Sequence, residues 1–350
     1  MTTASATTTA LAAASVITAP LASARAQPAV ILSKEFKHIF ALVVFIIGVL
    51  LVSVFGIFFN SLNLLVYFKQ GFKDTVNISF FAISLADLMS LIPLVWSIAF
   101  STCRYLPWYI PVENSQVNFV VTVFPSQIFS RISRWIKVLI NLERCACIIQ
   151  PLKVKRYFTA RVTTVVIVTI YLSYVIEIPL FYVCTDVRNV FYEPLNMTIL
   201  SIFYISNCYH SNNDALVIHT GSIICPCFLD IVCTIIISHH LQVLSKKRKK
   251  FLNVRKNDTS ETKDVRLIKM LIIINVIFIF TAMPIAFVYA SVFFERLFYY
   301  EGWLGTVYYI ISESSVFLDE VGVSVNIFIY YNMSAKFKAT YLKLFHPKKQ

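Results

Sequence analysis

The sequence predicts an all-α membrane protein, in which seven transmembrane helices form a bundle and a short amphipathic cytoplasmic helix follows. Hydrophobic residues make up 58% of the 350 residues and charged residues only 14%, and the mean hydropathy is +0.72. Soluble domains carry about 25% charged residues. The composition therefore excludes a soluble globular domain, a disordered chain and a small disulfide-stapled secreted scaffold.

A further observation gives the number of helices. A helix needs about 20 mostly apolar residues to span a bilayer. Seven segments meet that requirement, and in chain order they are 39–68, 77–101, 117–149, 162–184, 215–244, 267–294 and 304–331. Helices three and seven also contain ionisable residues, which we expect to face the bundle interior. Because the apolar runs are continuous rather than alternating, they do not fit a membrane β-barrel.

Lys and Arg predict the orientation. The connections after helices one, three and five and the C-terminal tail, counted together with Arg144 and Lys269 at the adjoining helix ends, hold 22 of the 31 basic residues. The predicted cytosolic face then carries about +17 and the opposite face about −1. This asymmetry predicts a multi-pass plasma-membrane protein with an extracellular N-terminus and a cytoplasmic C-terminus, whose basic face contacts anionic lipids.

The chain divides into three regions. The bundle occupies 38–332, and 333–350 contains an eighth, amphipathic helix that we expect to lie on the membrane surface, with Phe337, Tyr341 and Leu344 on one face. Residues 1–37, rich in Ala, Thr and Ser, are predicted to be a disordered extracellular tail. A cleaved signal peptide is the alternative, although no basic residue precedes the apolar part.

The cysteines and the absence of catalytic motifs limit which disulfides, modifications and reactions the sequence allows. Cys103, Cys184 and Cys208 lie near extracellular helix ends and are disulfide candidates, and Asn196 is a candidate glycosylation site outside the membrane. Neither metal-ligand spacing nor a catalytic motif such as GxSxG, a P-loop or HExxH is present. We therefore expect no enzyme and no metal or other cofactor. The basic run KKRKK at 246–250 follows a membrane helix directly, so we also expect no nucleic-acid partner.

Several short motifs occur in the expected helices. They are SLADL around Asp87, LERC around Glu143 and Arg144 with Pro151 and Leu152 after it, Pro226 in helix five, Phe278 followed by TAMP ending at Pro284, and NIFIY from Asn326 to Tyr330. Jointly they resemble the motifs of rhodopsin-like (class A) G protein-coupled receptors, over about residues 38–346. The blocks FSRISRWIKVLINLERCACIIQPLKVK and YFKQGFKDTVNISF resemble those of the molluscan chemosensory-type receptors.

The resemblance implies a receptor that binds an extracellular ligand, either a chemosensory cue or a peptide, and activates a heterotrimeric G protein through movement of helix six. In the family, the Arg at the position of Arg144 pairs at rest with an acid at the base of helix six, here Asp264. A membrane-surface Arg with no switch role is the competing interpretation. A transporter or channel that uses the charges of helices three and seven is the alternative function, although the chain shows no internal repeat.

The resemblance also implies a sodium site. The family holds sodium with residues at the positions of Asp87, Ser133 and Asn326. Lys137 lies one helical turn below Ser133, so our competing hypothesis is that Lys137 replaces sodium as the counter-charge of Asp87.

Further ionisable residues have no counterpart in the family pattern. Arg134 occupies a position that contacts Pro226 and Phe278 in the family, and Asp230, one turn below Pro226, is its candidate partner. Glu313, Asp319 and Glu320 either bind a cationic ligand group or neutralise the basic residues of helix three, including Arg131. The ligand-binding candidates are Ser126, Ala282, Asp319 and Glu320.

Five positions depart from the family pattern. Ser126 replaces the Asp of amine receptors and Glu320 the retinal-linking Lys of opsins, which disfavours both ligand classes. Ala282 replaces the Trp of helix six. Phe119 replaces the usual Cys of helix three, so any disulfide must pair other cysteines. Ile327 replaces the Pro of NPxxY and predicts a straighter helix seven.

Overall fold

The computed structural model confirms the seven-helix bundle, and it describes residues 39–102, 117–150, 154, 157–192, 197–205, 212–252, 263–294 and 305–345. Helix one consists of a π-helical segment Ala41–Val49 and an α-helix Leu50–Gln70, and helix two is Thr75–Thr102. Helix three consists of a π-helical segment Phe119–Val123 and an α-helix Phe124–Ile149. Helix four is Ala160–Val175 continued by Glu177–Val183, helix five Asn212–Leu252 and helix six Lys263–Phe294. Helix seven is Gly305–Ser324 continued by Asn326–Met333, and helix eight is Ala335–Phe345.

Helix three is the central element of the bundle. Ile128, Ile132, Ile136 and Ile140 recur every four residues, so they form one ridge along the helix, and each is at most 2% exposed. Within the described part of the chain, five helices are long and apolar enough to cross a membrane, namely helices one, two, four, five and six. Helices three and seven fall outside this set because their ionisable side chains lower the hydropathy, and the same side chains are largely buried inside the bundle.

Local caps explain where individual helices begin and end. Helix one ends at Gly71, whose φ of 80° is costly for any residue with a Cβ. Helix four begins after Thr159, whose hydroxyl accepts a hydrogen bond from the backbone N–H of Val162 at 3.3 Å. Helix eight begins after Ser334, whose hydroxyl accepts from the N–H of Phe337 at 3.2 Å.

Helix seven is interrupted at Val325, although Ile327 stands where the family has a proline, and its straightness relative to a proline-containing helix stays a prediction. The backbone tightens at Val325, where the N–H of Phe328 bonds to the Val325 carbonyl at 3.1 Å. The cause is the Asn326 amide, which donates to the Val323 carbonyl at 3.3 Å and competes with the regular helical pattern. A polar side chain thus accompanies the interruption, without any proline in this part of the helix.

A β-hairpin lies between helices four and five, in a loop for which the sequence predicted no regular structure. Strands β1 (Thr185–Tyr192) and β2 (Met197–Tyr204) pair antiparallel, with Thr185 opposite Tyr204. The N–H of Ile205 bonds to the Cys184 carbonyl at 2.9 Å and closes the open end of the hairpin. Ser201 and Ile202 are buried, which fixes β2 against the bundle.

Candidate functional site

At the C-terminal end of helix three, Glu143 contacts two polar groups. Its Oε1 accepts a hydrogen bond from the Thr75 hydroxyl of helix two at 2.8 Å, and Arg144 Nη2 lies 3.3 Å from the same oxygen. The Glu143 side chain is 6% exposed and that of Arg144 17%. Arg144 is therefore held beside its own helix and directed toward helix two. Asp264 is in helix six, but its side chain lies outside the described residues, as do Pro151 and Leu152.

A second polar node joins helices two, three and seven around Asp87, which is 1% exposed. The Ser133 hydroxyl donates to Asp87 Oδ1 at 2.5 Å, and Asn326 Nδ2 donates to Oδ2 at 3.3 Å. The structure thus brings together the three residues of the predicted sodium site.

Lys137 does not form an ion pair with Asp87 in the structure. Its ammonium group lies over the ring of Phe278 in helix six, 4.8 Å from the centroid. A cation over an aromatic face is favourable in a desolvated interior, and the Asp87 carboxylate already accepts bonds from two neutral donors. Lys137 and Asp87 interact only at longer range. In this conformation Lys137 is therefore not the direct ion-pair partner of Asp87.

The two arginines of helix three form buried ion pairs with two different helices. Arg134 Nη2 lies 2.6 Å from Asp319 Oδ2 in helix seven, with side chains 6% and 13% exposed. Arg131 Nη2 lies 3.0 Å from Glu177 Oε2 in helix four, and its guanidinium also lies over the Tyr174 ring at 5.3 Å. The expected pairing of Arg134 with Asp230 is therefore wrong, because Arg134 reaches across to helix seven.

Asp230 instead completes a node between helices three, five and six. Asn141 Nδ2 donates to Asp230 Oδ1 at 2.7 Å and to Asn275 Oδ1 at 3.1 Å, and Asn275 Nδ2 donates back to Asn141 Oδ1 at 2.9 Å. All three residues are at most 2% exposed. The sequence reasoning missed Asn141 and Asn275. The available signal was an amide inside an otherwise apolar run of each helix.

Of the predicted ligand-binding residues, Asp319 is occupied by Arg134, with the Ser130 hydroxyl also 3.5 Å from Oδ2. Glu320 is 7% exposed, and its Oε2 has no hydrogen-bond partner among the described residues. Ser126 is also 7% exposed. Ala282 is fully buried and packs with Phe278 and with apolar residues of helix five, so it fills space below Pro284 rather than lining a cleft.

A cavity of about 410 Å³ lies elsewhere, at the surface of helices one, two and three. Trp96 and Val121 line it and are 63% and 51% exposed. In a bilayer those side chains face lipid. This groove is therefore separate from the predicted ligand-binding residues.

An aromatic cluster surrounds Tyr330 at the C-terminal end of helix seven. Its ring lies 5.6 Å from Tyr67 of helix one, 4.8 Å from Phe80 of helix two and 5.8 Å from Phe337 of helix eight. Tyr330 is 1% exposed and Phe337 fully buried. The cluster fixes helix eight beneath helices one, two and seven.

Among the disulfide candidates, Cys184 is disulfide-bonded. Its partner, and with it Cys103 and Cys208, lies outside the described residues, as do Asn196 and the tail 1–37. Cys145, Cys225, Cys227 and Cys233 are free thiols. The C-terminal end of helix four is therefore covalently anchored where the hairpin begins.

Comparison with known proteins agrees with this architecture. The family model for the serpentine type 7TM GPCR chemoreceptor Srw matches residues 45–348, from within helix one to beyond helix eight. No curated protein matches the chain in a sequence comparison. Since the matched span covers most of the sequence and all seven helices, this multi-pass membrane protein belongs to the Srw family of serpentine seven-transmembrane GPCR chemoreceptors.

Proposed function

We propose that this chemoreceptor binds an extracellular ligand and activates a heterotrimeric G protein on the cytosolic face through movement of helix six. One observation carries the proposal: polar side chains of helix three bond to helices two, four, five, six and seven at successive levels of the bundle. Polar contacts inside a membrane bundle are costly unless paired. A shift of one helix must therefore exchange partners on helix three, and this couples the two faces of the receptor.

The cytosolic end of the bundle is the part that we propose contacts the G protein. In the conformation described, Arg144 is held by Glu143, and Tyr330 is buried in its aromatic cluster. We propose that outward movement of helix six releases Arg144 from this resting arrangement, in which Asp264 is a further partner, and exposes a surface that includes Pro151 and Leu152. Pro226 and Pro284, inside helices five and six, supply the bends that such movement uses.

The assignment to the rhodopsin-like class, with the molluscan chemosensory-type receptors as the nearest branch, rests on the motifs around Asp87, Arg144, Pro226, Pro284 and Asn326. The proposed topology has the N-terminus outside and the C-terminus inside, and it places Asn196 where it can be glycosylated. Sodium remains a proposed ligand of Asp87, Ser133 and Asn326. Loss of a mass shift on deglycosylation in Asn196→Gln would test the topology.

The extracellular half of the bundle is proposed to bind a ligand with a cationic group, either a small chemosensory cue or a peptide. Asp319 is neutralised by Arg134, whereas Oε2 of the Glu320 carboxylate has no hydrogen-bond partner among the described residues. A buried anion attracts a cation strongly because the surrounding dielectric is low. Glu320 is therefore the acid that we assign to the ligand, with Ser126 on the facing helix three.

The test uses cells that express the receptor, a panel of peptides and of ammonium and guanidinium compounds, and a readout of G protein activation. Arg144→Ala is expected to abolish activation at unchanged surface expression, whereas Arg161→Ala, an exposed Arg at the cytosolic end of helix four, is the matched control. Ligand-dependent current that persists in Arg144→Ala, with no nucleotide exchange, would favour a transporter or channel.

The ligand assignment has its own test. For any cationic agonist found in the panel, Glu320→Gln is expected to raise the half-maximal concentration by at least about tenfold, since charged hydrogen bonds contribute about 1.5–3 kcal/mol. Asp186→Asn, which removes an exposed carboxylate of the hairpin, is the control. Agonists that are mainly neutral or anionic would contradict the cationic class and leave the receptor function intact.

A further inference from the structure

Besides their apolar packing, the described parts of helices three and six share two contacts that involve polar side chains, and these lie one helical turn apart. Lys137 and Asn141 are four residues apart on helix three, and Asn275 and Phe278 are three residues apart on helix six. Each pair therefore lies on one face of its helix. The helices run antiparallel, so Lys137 meets Phe278 at the outer level and Asn141 meets Asn275 at the inner level. We call this pair of contacts the two-rung ladder.

In the inner rung, both hydrogens of the Asn141 amide group have acceptors. Asn141 and Asn275 exchange two amide hydrogen bonds of 3.1 and 2.9 Å, and the Asn141 amide nitrogen also donates to Asp230 of helix five at 2.7 Å. An amide NH₂ has two hydrogens, and here each has an acceptor. Separating the helices would leave these buried groups unpaired, which costs about 1–3 kcal/mol for each lost partner.

The outer rung is formed by a charged side chain of helix three and an aromatic ring of helix six. The Lys137 ammonium lies over the Phe278 ring, and Lys137 as a whole is 6% exposed. If helix six moves outward, Phe278 leaves Lys137. The Asp230 carboxylate then remains on the neighbouring helix five with one oxygen, Oδ2, that has no hydrogen-bond partner among the described residues, and it already interacts with Lys137 electrostatically.

We propose that the two-rung ladder is the brake that holds helix six against helix three in the ligand-free receptor, and that its release lets Lys137 pair with Asp230. The proposal rests on the proposed function, since it specifies which residues oppose the movement of helix six. Asn141, Asn275 and Asp230 lie outside the motifs that carry the family resemblance. The inner rung of the brake is therefore formed by residues that the family motifs do not include.

The first measurement is ligand-independent nucleotide exchange in membranes, normalised to surface expression. Asn275→Leu removes the inner rung and is expected to raise basal exchange by about tenfold, as two buried hydrogen bonds of ordinary strength imply. Phe278→Leu removes the outer rung and is expected to raise it by about threefold. If the rungs act independently, the double variant raises basal exchange by about the product of the two factors.

Matched controls remove similar groups away from the ladder. Tyr171→Phe removes a 2.7 Å hydrogen bond from helix four to the Ala82 carbonyl of helix two. Phe280→Leu changes a helix-six Phe that is 71% exposed. Neither variant is expected to change basal exchange. An equal rise in these controls would refute the brake, because it would show that any loosening of the bundle raises basal activity.

A second measurement separates the brake from G protein coupling. Spin labels at Arg161→Cys and Lys269→Cys, exposed positions on helices four and six, report the separation of these helices in purified receptor in nanodiscs, with Cys147 and Cys225 replaced by Ser. Asn275→Leu is expected to increase the population with the longer distance. A longer distance without increased exchange would support the brake and refute the coupling. An unchanged distance in folded Asn275→Leu and Asn275→Ala receptors would refute the brake.

Discussion

Removing one member of the Arg134–Asp319 ion pair is expected to destabilise the receptor much more than replacing both members. The pair joins helices three and seven at 2.6 Å, with side chains 6% and 13% exposed. In Asp319→Leu the guanidinium of Arg134 stays buried without the Asp319 carboxylate. In Arg134→Met the Asp319 carboxylate stays buried without the guanidinium. Breaking a buried pair in this way costs about 3–5 kcal/mol, whereas replacing both charges by apolar residues is often neutral.

The magnitude translates into a thermal shift. At about 2 °C per kcal/mol for a chain of this length, each single variant should lower the apparent Tm by about 6–10 °C. The double variant Arg134→Met/Asp319→Leu should recover most of that loss. The assay is thermal unfolding of the purified receptor in detergent at a fixed heating rate, since membrane proteins commonly unfold irreversibly and the apparent Tm then depends on that rate.

The hairpin supplies a control of the same chemistry. Arg188 and Asp186 also form an Arg–Asp pair, at 2.7 Å, but their side chains are 63% and 41% exposed. Exposed pairs contribute about 0–1 kcal/mol, so the corresponding double-mutant cycle should give a coupling energy below about 1 kcal/mol, against at least about 2 kcal/mol for the buried pair. Equal coupling energies in the two cycles would refute the argument that burial, and not distance, sets the strength.

Three further results are expected. Gly322→Ala should lower the apparent Tm by several degrees, because a Cβ there overlaps the Thr281 hydroxyl of helix six, and Thr281→Ala in the same chain should recover part of the loss; an unchanged Tm in Gly322→Ala would contradict the close helix contact. Phe337→Ala should cost about 3–5 kcal/mol and speed tryptic cleavage of helix eight, whereas Phe345→Ala, at a side chain that is 42% exposed, should change the cleavage rate little. Cys184→Ser should lower stability by about 2–4 kcal/mol and make the receptor insensitive to dithiothreitol, and a persistent response to the reductant would show that another bond is involved.

The helices could be predicted from sequence because a membrane imposes one strong requirement. A span must be about 20 residues long and mostly apolar, and helix two, for example, was expected at 77–101 and is observed at Thr75–Thr102. The ends differ by a few residues because capping groups such as Thr159 and Ser334 set them. These groups lie outside the apolar runs.

The partners of the buried charges could not be predicted in the same way. Which acid Arg134 meets depends on the rotation and relative height of helices three, five and seven, and a single sequence contains neither quantity. Asp230 and Asp319 were both plausible by helix position, and the structure selects Asp319. By contrast, Ser133 and Asn326 could be grouped with Asp87 because the family resemblance supplies the alignment between helices.

The hairpin was missed although its sequence contains a signal. The runs TDVRNVFY and MTILSIFY are rich in β-branched and aromatic residues and are separated by four residues that include a proline, a pattern typical of two strands and a turn. Searching for long apolar runs passes over such short segments.

The Arg134–Asp319 pair also sets a requirement for biogenesis. The two residues are 185 positions apart in the chain, so at about 5–20 residues per second the ribosome synthesises Asp319 about 10–40 s after Arg134. Until then the guanidinium of helix three has no acid from helix seven, and a long Arg side chain in that state reaches toward the lipid headgroups. Helix three can thus settle at its final depth only after the last transmembrane helix has been made, and a chain truncated before helix seven would expose an unneutralised arginine to the quality-control machinery of the membrane.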